Sequence, residues 1–124
     1  MTVRLLILET TSFDAMQERM DAILDGQHPD STCIFFDELE GLLRTITAKR
    51  MEIIRLLLHD EGPMTAEAIA MRLKRGRTMA GHDLEALLES EIIDLDRDAR
   101  YLFEFDGIRI RLQFPHAEHR VAQS

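Results

Sequence analysis

Four cations, Arg72, Lys74, Arg75 and Arg77, fall within six consecutive positions, and no acid stands between Arg72 and His82. A guanidinium presents a planar fork of donors that fits phosphate oxygens or the paired acceptors on a guanine edge. An ammonium acts on phosphate as a point charge. The cluster therefore suits a polyanion. The rest of the chain is acidic: residues 1–71 hold 13 acids against 6 bases, residues 83–124 hold 10 against 5, and the formal net charge is -8. So acidic a chain repels DNA at long range, so any contact must be focused on the basic island. The acidic remainder suits a basic protein partner.

Other chemistry is sparse. His116 and His119 lie in a polar tail without neighbours at metal-ligand spacing, so no zinc site is expected. Cys33 sits in an apolar run with no adjacent base and reads as a buried, unreactive thiol. Asp37 and Glu38 read as charges at a helix start, and no glycine-rich phosphate loop follows a strand. Catalysis, a metal and a cofactor are all unexpected. One cysteine allows no intramolecular disulfide and fits a reducing compartment. No apolar run approaches the roughly 18 residues of a membrane span. The stretch Met1 to Glu9 lacks a small-residue cleavage site and reads as a strand, not a signal peptide. These features predict a cytoplasmic protein with no membrane partner.

Hydrophobic spacing supplies the elements that must position the island. Val3 to Leu8 reads as a strand. Phe13, Met16, Met20 and Leu24 recur at helical steps behind the caps Thr11 and Ser12, and Gly26 ends that helix. A polar linker with Pro29 leads to a short apolar strand, Cys33 to Phe36. Asp37 can cap a helix through Leu39, Leu42, Leu43 and Ile46, and Thr47 the next, with Met51, Ile54, Leu57 and Leu58 inward. After the break at Gly62-Pro63, Thr65 caps a helix carrying Ala68, Ile69, Met71 and Leu73. Lys74-Arg75-Gly76 turns the chain into a last helix seated by Met79, Leu84, Leu87 and Leu88. Ile92 to Leu95 and Arg100 to Phe105 read as strands around a polar tip, Asp96 to Ala99, and Ile108 to Leu112 alternates as a half-buried strand. Met51, Met64, Met71 and Met79 read as core fillers.

Three helices followed by a hairpin predict an α+β fold, a winged helix-turn-helix at 33–114. A strand-helix extension at 1–32 precedes it, and a flexible tail at 115–124 follows. The extension has two faces to bury in a small chain and reads as a dimer or partner surface. A helical hairpin with a merely solvated basic turn is the alternative. In helix-turn-helix proteins the start of the third helix enters the major groove. That places Arg77, Thr78, Gly81 and His82 outward.

Several segments carry a further signal. IFFDELEGLLRTI sets phenylalanine before a helix, and ITAKRMEIIRLL stands for a leucine-threonine-x-lysine-arginine pattern. GPMTAEAIAMRL stands for glycine-proline-leucine-serine-x-x-glutamate-leucine-alanine, HDLEALLESEII for arginine-aspartate-valine-x-alanine-leucine, and GIRIRLQF for a closing strand. In this order the chain resembles, over nearly its whole length, prokaryotic MarR-like winged-helix DNA-binding proteins, including antitoxin-type regulators. It departs from them at Gly81, where a histidine or other polar residue is common, and at Met79, where asparagine is. Gly81 is open to three readings: drift, close backbone approach to DNA, or weakened base readout.

The resulting expectations are specific. Arg75 and Arg77 lead as DNA contacts, Arg72 and Lys74 bind phosphate, and Thr65 caps its helix beside backbone N–H groups that can hold a phosphate. Thr78 and His82 are weaker base contacts. Arg97 and Arg100 flank the wing tip, where Asp94, Asp96 and Asp98 oppose phosphate. Asp83 either fixes a neighbouring arginine or is solvated. Lys49 and Arg50 either touch flanking phosphates, pair with Glu52 or are solvated. The resemblance implies a homodimeric regulator on double-stranded DNA, with a cognate toxin as a second partner if the protein is an antitoxin. The alternative is a winged helix used only for protein–protein assembly.

Overall fold

The computed structural model describes residues 4–10, 31–59 and 62–112. The helix expected over 11–25 and the tail with His116 and His119 lie outside the described residues. The chain divides into two compact units: Leu43–Gly107 forms one, and the residues up to Leu42 with those from Ile108 form the other.

The unit holding the N-terminal strand is built on a three-stranded sheet in the order β2-β1-β6, with β1 Leu5–Thr10, β2 Thr32–Phe36 and β6 Gly107–Arg111. Strands β1 and β2 run parallel, in register from Leu6 opposite Thr32 to Thr10 opposite Phe36. Successive strand side chains point to opposite faces, yet every residue from Leu6 to Thr10 is buried. Strand β1 is therefore covered on both sides, as its unbroken apolar run requires. It starts and ends two residues later than expected and takes Glu9 and Thr10 inside. Cys33 is half-buried, less enclosed than its apolar neighbours suggested. Helix α1, Leu39–Thr45, follows with Leu42 buried.

This division differs from the expected boundary at 32/33. Strand β2 pairs with β1, and β6 joins the same sheet, so the C-terminal strand serves the N-terminal unit and not the hairpin before it.

The second unit runs α2 Ala48–His59, β3 Met64–Thr65, α3 Ala66–Leu73, α4 Arg77–Glu89, β4 Asp94–Leu95 and β5 Arg100–Leu102. Two caps open the helices as expected. Thr47 Oγ1 accepts from Arg50 N at 3.2 Å, and Thr65 Oγ1 accepts from Ala68 N at 3.2 Å. The core is aliphatic: Ile53, Ile54 and Leu57 of α2, Ile69 of α3, and Leu84 and Leu87 of α4, closed by Ile92, Ile93 and Phe103. Ala70 and Ala80 are also buried, and their small side chains let α3 and α4 approach closely.

Two expectations about methionine fail. Met71 is 77% and Met79 57% exposed. Ala70 and Ala80, one position away on each helix, take the inward places.

The α3–α4 turn is a Schellman cap. Lys74 adopts the left-handed conformation (φ 57°, ψ 49°), its N–H reaches Met71 O, and Arg75 N reaches Ala70 O at 2.9 Å. Gly76, expected to reverse the chain, has an ordinary φ of -62° and is the N-cap of α4. The end of α4 repeats the device. Glu91 has φ 65°, with Glu91 N bonded to Leu88 O and Ile92 N to Leu87 O at 3.0 Å. Ile92 and Ile93 are thus buried cap residues and not strand, which shortens β4 to Asp94–Leu95.

The second sheet has the order β3-β5-β4, all antiparallel, with Met64 opposite Tyr101 and Asp94 opposite Leu102. Strand β3 was unexpected, since two residues carry no readable alternation. Beyond β5, Phe103 and Phe105 stack obliquely with ring centroids 5.5 Å apart.

Candidate nucleic-acid interface

Helix α4 presents its first two turns outward. Arg77 is 72% exposed, and Thr78 and His82, one turn apart, are exposed beside it. Arg77 Nη1 lies 3.2 Å from Glu67 Oε2, an exposed pair of the kind that contributes little and exchanges readily. A Cβ added at Gly81 would meet nothing in the protein, so neither packing nor backbone geometry demands glycine there. Further along the same side, Glu85 and Glu89 are exposed. Those two acids, which the sequence reading passed over, confine any anion contact to the N-terminal turns of α4.

Of the remaining cations of the island, Arg72 and Lys74 are exposed at the end of α3. Arg75 is not. Its side chain is only 10% exposed, with Nη2 donating to Glu52 Oε1 at 2.6 Å and Nη1 lying 3.7 Å from Asp83 Oδ2. The second distance is too long for a hydrogen bond, and the buried Nη1 has no hydrogen-bond acceptor. It is a charge contact only. Asp83 also accepts from Arg50 Nε at 3.0 Å, and Arg50 Nη1 donates to the carbonyls of Arg44 and Thr45 at 2.9 and 3.0 Å. Asp83 thus fixes arginines, as one reading had it, and fixes two of them. Arg50 pairs with Asp83 and not with Glu52. Arg75, expected to lead the outward contacts, is turned inward because two carboxylates distant in sequence converge on it.

The hairpin tip shows a second internal network. Asp96 Oδ1 accepts from the backbone N–H of Asp98 and Arg100 at 2.9 and 3.0 Å, and Arg100 Nε donates to Asp96 Oδ2 at 3.1 Å. Arg100 Nη2 reaches Asp98 Oδ2 at 3.2 Å. The backbone N–H of Arg100, foremost, holds the Asp96 carboxyl below the ordinary aspartate pKa. Arg100 is therefore engaged locally, while Arg97 projects from the tip and is exposed. Thr65 is similarly occupied as a cap.

The described residues bring no three His, Cys, Asp or Glu side chains together to hold a metal ion. No described helix is long and apolar enough to cross a membrane.

Residues 45–110 match the profile of the HVO_A0114 family, over half of the 124-residue chain. The chain belongs to the HVO_A0114 family. The match takes in the whole run from α2 to β5, including the basic island, both internal ion networks and the exposed start of α4. No curated protein and no solved structure matches this HVO_A0114 member.

Proposed function

We propose that this protein is a transcriptional regulator that binds double-stranded DNA through a winged helix-turn-helix at α2 to β5, acting as a homodimer. The observation that carries this reading is the exposed first half of α4, with Arg77, Thr78, Gly81 and His82 on its open side. The wiring supports it. Three helices precede a hairpin, and the return strand β5 pairs with β3, the short strand between the first two helices. In this fold class the N-terminal residues of the third helix read base edges. The resemblance to MarR-like regulators points the same way and makes an antitoxin role, with a basic toxin as protein partner, the natural extension.

The contact set is narrower than the sequence suggested. Arg77, Thr78 and His82 face the bases, Arg72 and Lys74 supply phosphate contacts, and Arg97 reaches from the wing. Arg75, Arg100 and the Thr65 hydroxyl are spent within the protein. Glu85, Glu89 and the exposed Met71 and Met79 favour a second reading, a winged helix used for protein–protein assembly.

A salt series separates the two readings. The protein is titrated with duplex from its own upstream region and with scrambled duplex. Preference for the upstream duplex is expected, with affinity falling steeply as salt rises. Arg77→Ala should weaken binding roughly tenfold and flatten the log–log salt slope by about one. No binding to either duplex at low salt would discard the regulator and leave the assembly reading. Gly81→Ala sharpens the outcome: a loss of DNA affinity without loss of stability would locate close backbone approach at that turn.

A further inference from the structure

We infer that Arg75 is a positioning residue, the clamp that sets how α4 is presented to DNA. Its backbone is fixed first. The Schellman cap bonds Arg75 N to Ala70 O, so the side chain leaves the end of α3 from a defined point. From there the guanidinium reaches two other helices, Glu52 of α2 at 2.6 Å and Asp83 of α4 at 3.7 Å. Asp83 sits between Arg75 and Arg50, whose Nε lies 3.0 Å away. The four residues alternate in sign, Glu52, Arg75, Asp83, Arg50, and Arg50 continues to the carbonyls of Arg44 and Thr45.

The clamp acts where orientation matters. Asp83 directly follows His82 in the second turn of α4. Rotating α4 about its axis, or sliding it along α2, would pull Asp83 from both guanidiniums at once. A half-buried carboxylate stripped of its cations is strongly unfavourable, so the network resists that motion more than an apolar contact would. Lysine cannot replace Arg75, because one ammonium cannot serve two carboxylates on different helices as separate guanidinium nitrogens do.

Resting as it does on the DNA-binding reading, this role is tested by two measurements on the full-length protein. One is amide hydrogen exchange over residues 77–83, which needs no DNA. The other is the salt dependence of binding to the upstream duplex. Arg75→Ala should speed exchange in that segment at least tenfold and weaken DNA binding at least tenfold, with the log–log salt slope unchanged. Glu52→Gln and Asp83→Asn should shift both readouts in the same direction and carry the test if Arg75→Ala does not fold. Arg77→Ala should do the reverse, lowering the slope by about one and leaving exchange as in wild type. Unchanged exchange in Arg75→Ala, or a slope lowered by one, would overturn the clamp and make Arg75 a direct phosphate contact. If wild type binds no DNA, the regulator reading falls, and the exchange comparison still decides whether Arg75 holds α4.

Discussion

The turn into α4 and the tip of the β4–β5 hairpin are both basic segments, and each divides its arginines in the same manner. At the turn, Arg75 is drawn inward while Arg77, two residues on, stays 72% exposed. At the tip, Arg100 is held by Asp96 and Asp98 while Arg97 stays exposed. The difference lies in where the acids come from. Arg100 is held by carboxylates two and four residues away, Arg75 by Glu52 and Asp83 from other elements. A local network stiffens one loop. A network assembled across three helices fixes how those helices are arranged, so breaking it should reach further.

The largest effect is expected at Asp83. Asp83→Ala leaves Arg50 and Arg75 half-buried without their common carboxylate and should destabilise the protein by about 2 kcal/mol. Urea unfolding of Asp83→Ala beside Asp98→Ala checks the contrast. A loss as small for Asp83 as for the exposed Asp98 would reduce the three-helix network to a surface feature.

A middle-sized effect comes from the backbone. Both segments turn through a non-glycine residue in the left-handed region, Lys74 with φ 57° and Ala99 with φ 61°. Such a conformation is unfavourable by roughly 1 kcal/mol for a residue bearing a Cβ, and glycine relieves it. Lys74→Gly and Ala99→Gly should therefore each raise stability by up to about 1 kcal/mol, read as a higher melting temperature. They should part company on DNA: Lys74→Gly removes a cation from the island and should weaken binding, whereas Ala99→Gly should not. Equal binding by both would remove Lys74 from the proposed contacts.

Which of these features could be read from the residues follows from how local their causes are. Thr47 and Thr65 were legible as caps because a hydroxyl at an N-cap bonds an N–H three residues on, whatever the fold. The exposed start of α4 was legible because Leu84 and Leu87 mark the opposite side of the helix. Met71 and Met79 misled because apolar character was taken for burial, while Ala70 and Ala80 fit the close crossing better. Strand β3 is two residues long and exists only because β5 returns beside it. The partnership of β6 with β1 and the inward turn of Arg75 likewise depend on partners distant in sequence, which no local pattern encodes.

The smallest effect belongs to Asp96 and follows from its proton. Its carboxyl is held below the ordinary aspartate pKa, first by the N–H of Arg100 and further by the N–H of Asp98 and the Arg100 charge. A group whose pKa is depressed by folding contributes stability that is complete above the unfolded-state value and lost as pH falls through the folded-state value. The contribution should be constant at neutral pH and vanish only on the acid side, between the ordinary aspartate value and the lower one it takes here. Asp96→Asn keeps an oxygen to accept the two N–H groups but loses the charge facing Arg100. Its melting temperature should lie slightly below that of wild type at neutral pH and converge with it as the solution is acidified through that window. A gap that widened on acidification would mean the carboxyl is better accommodated in its neutral form, and the tip would then be held by Asp98 and the backbone turn alone.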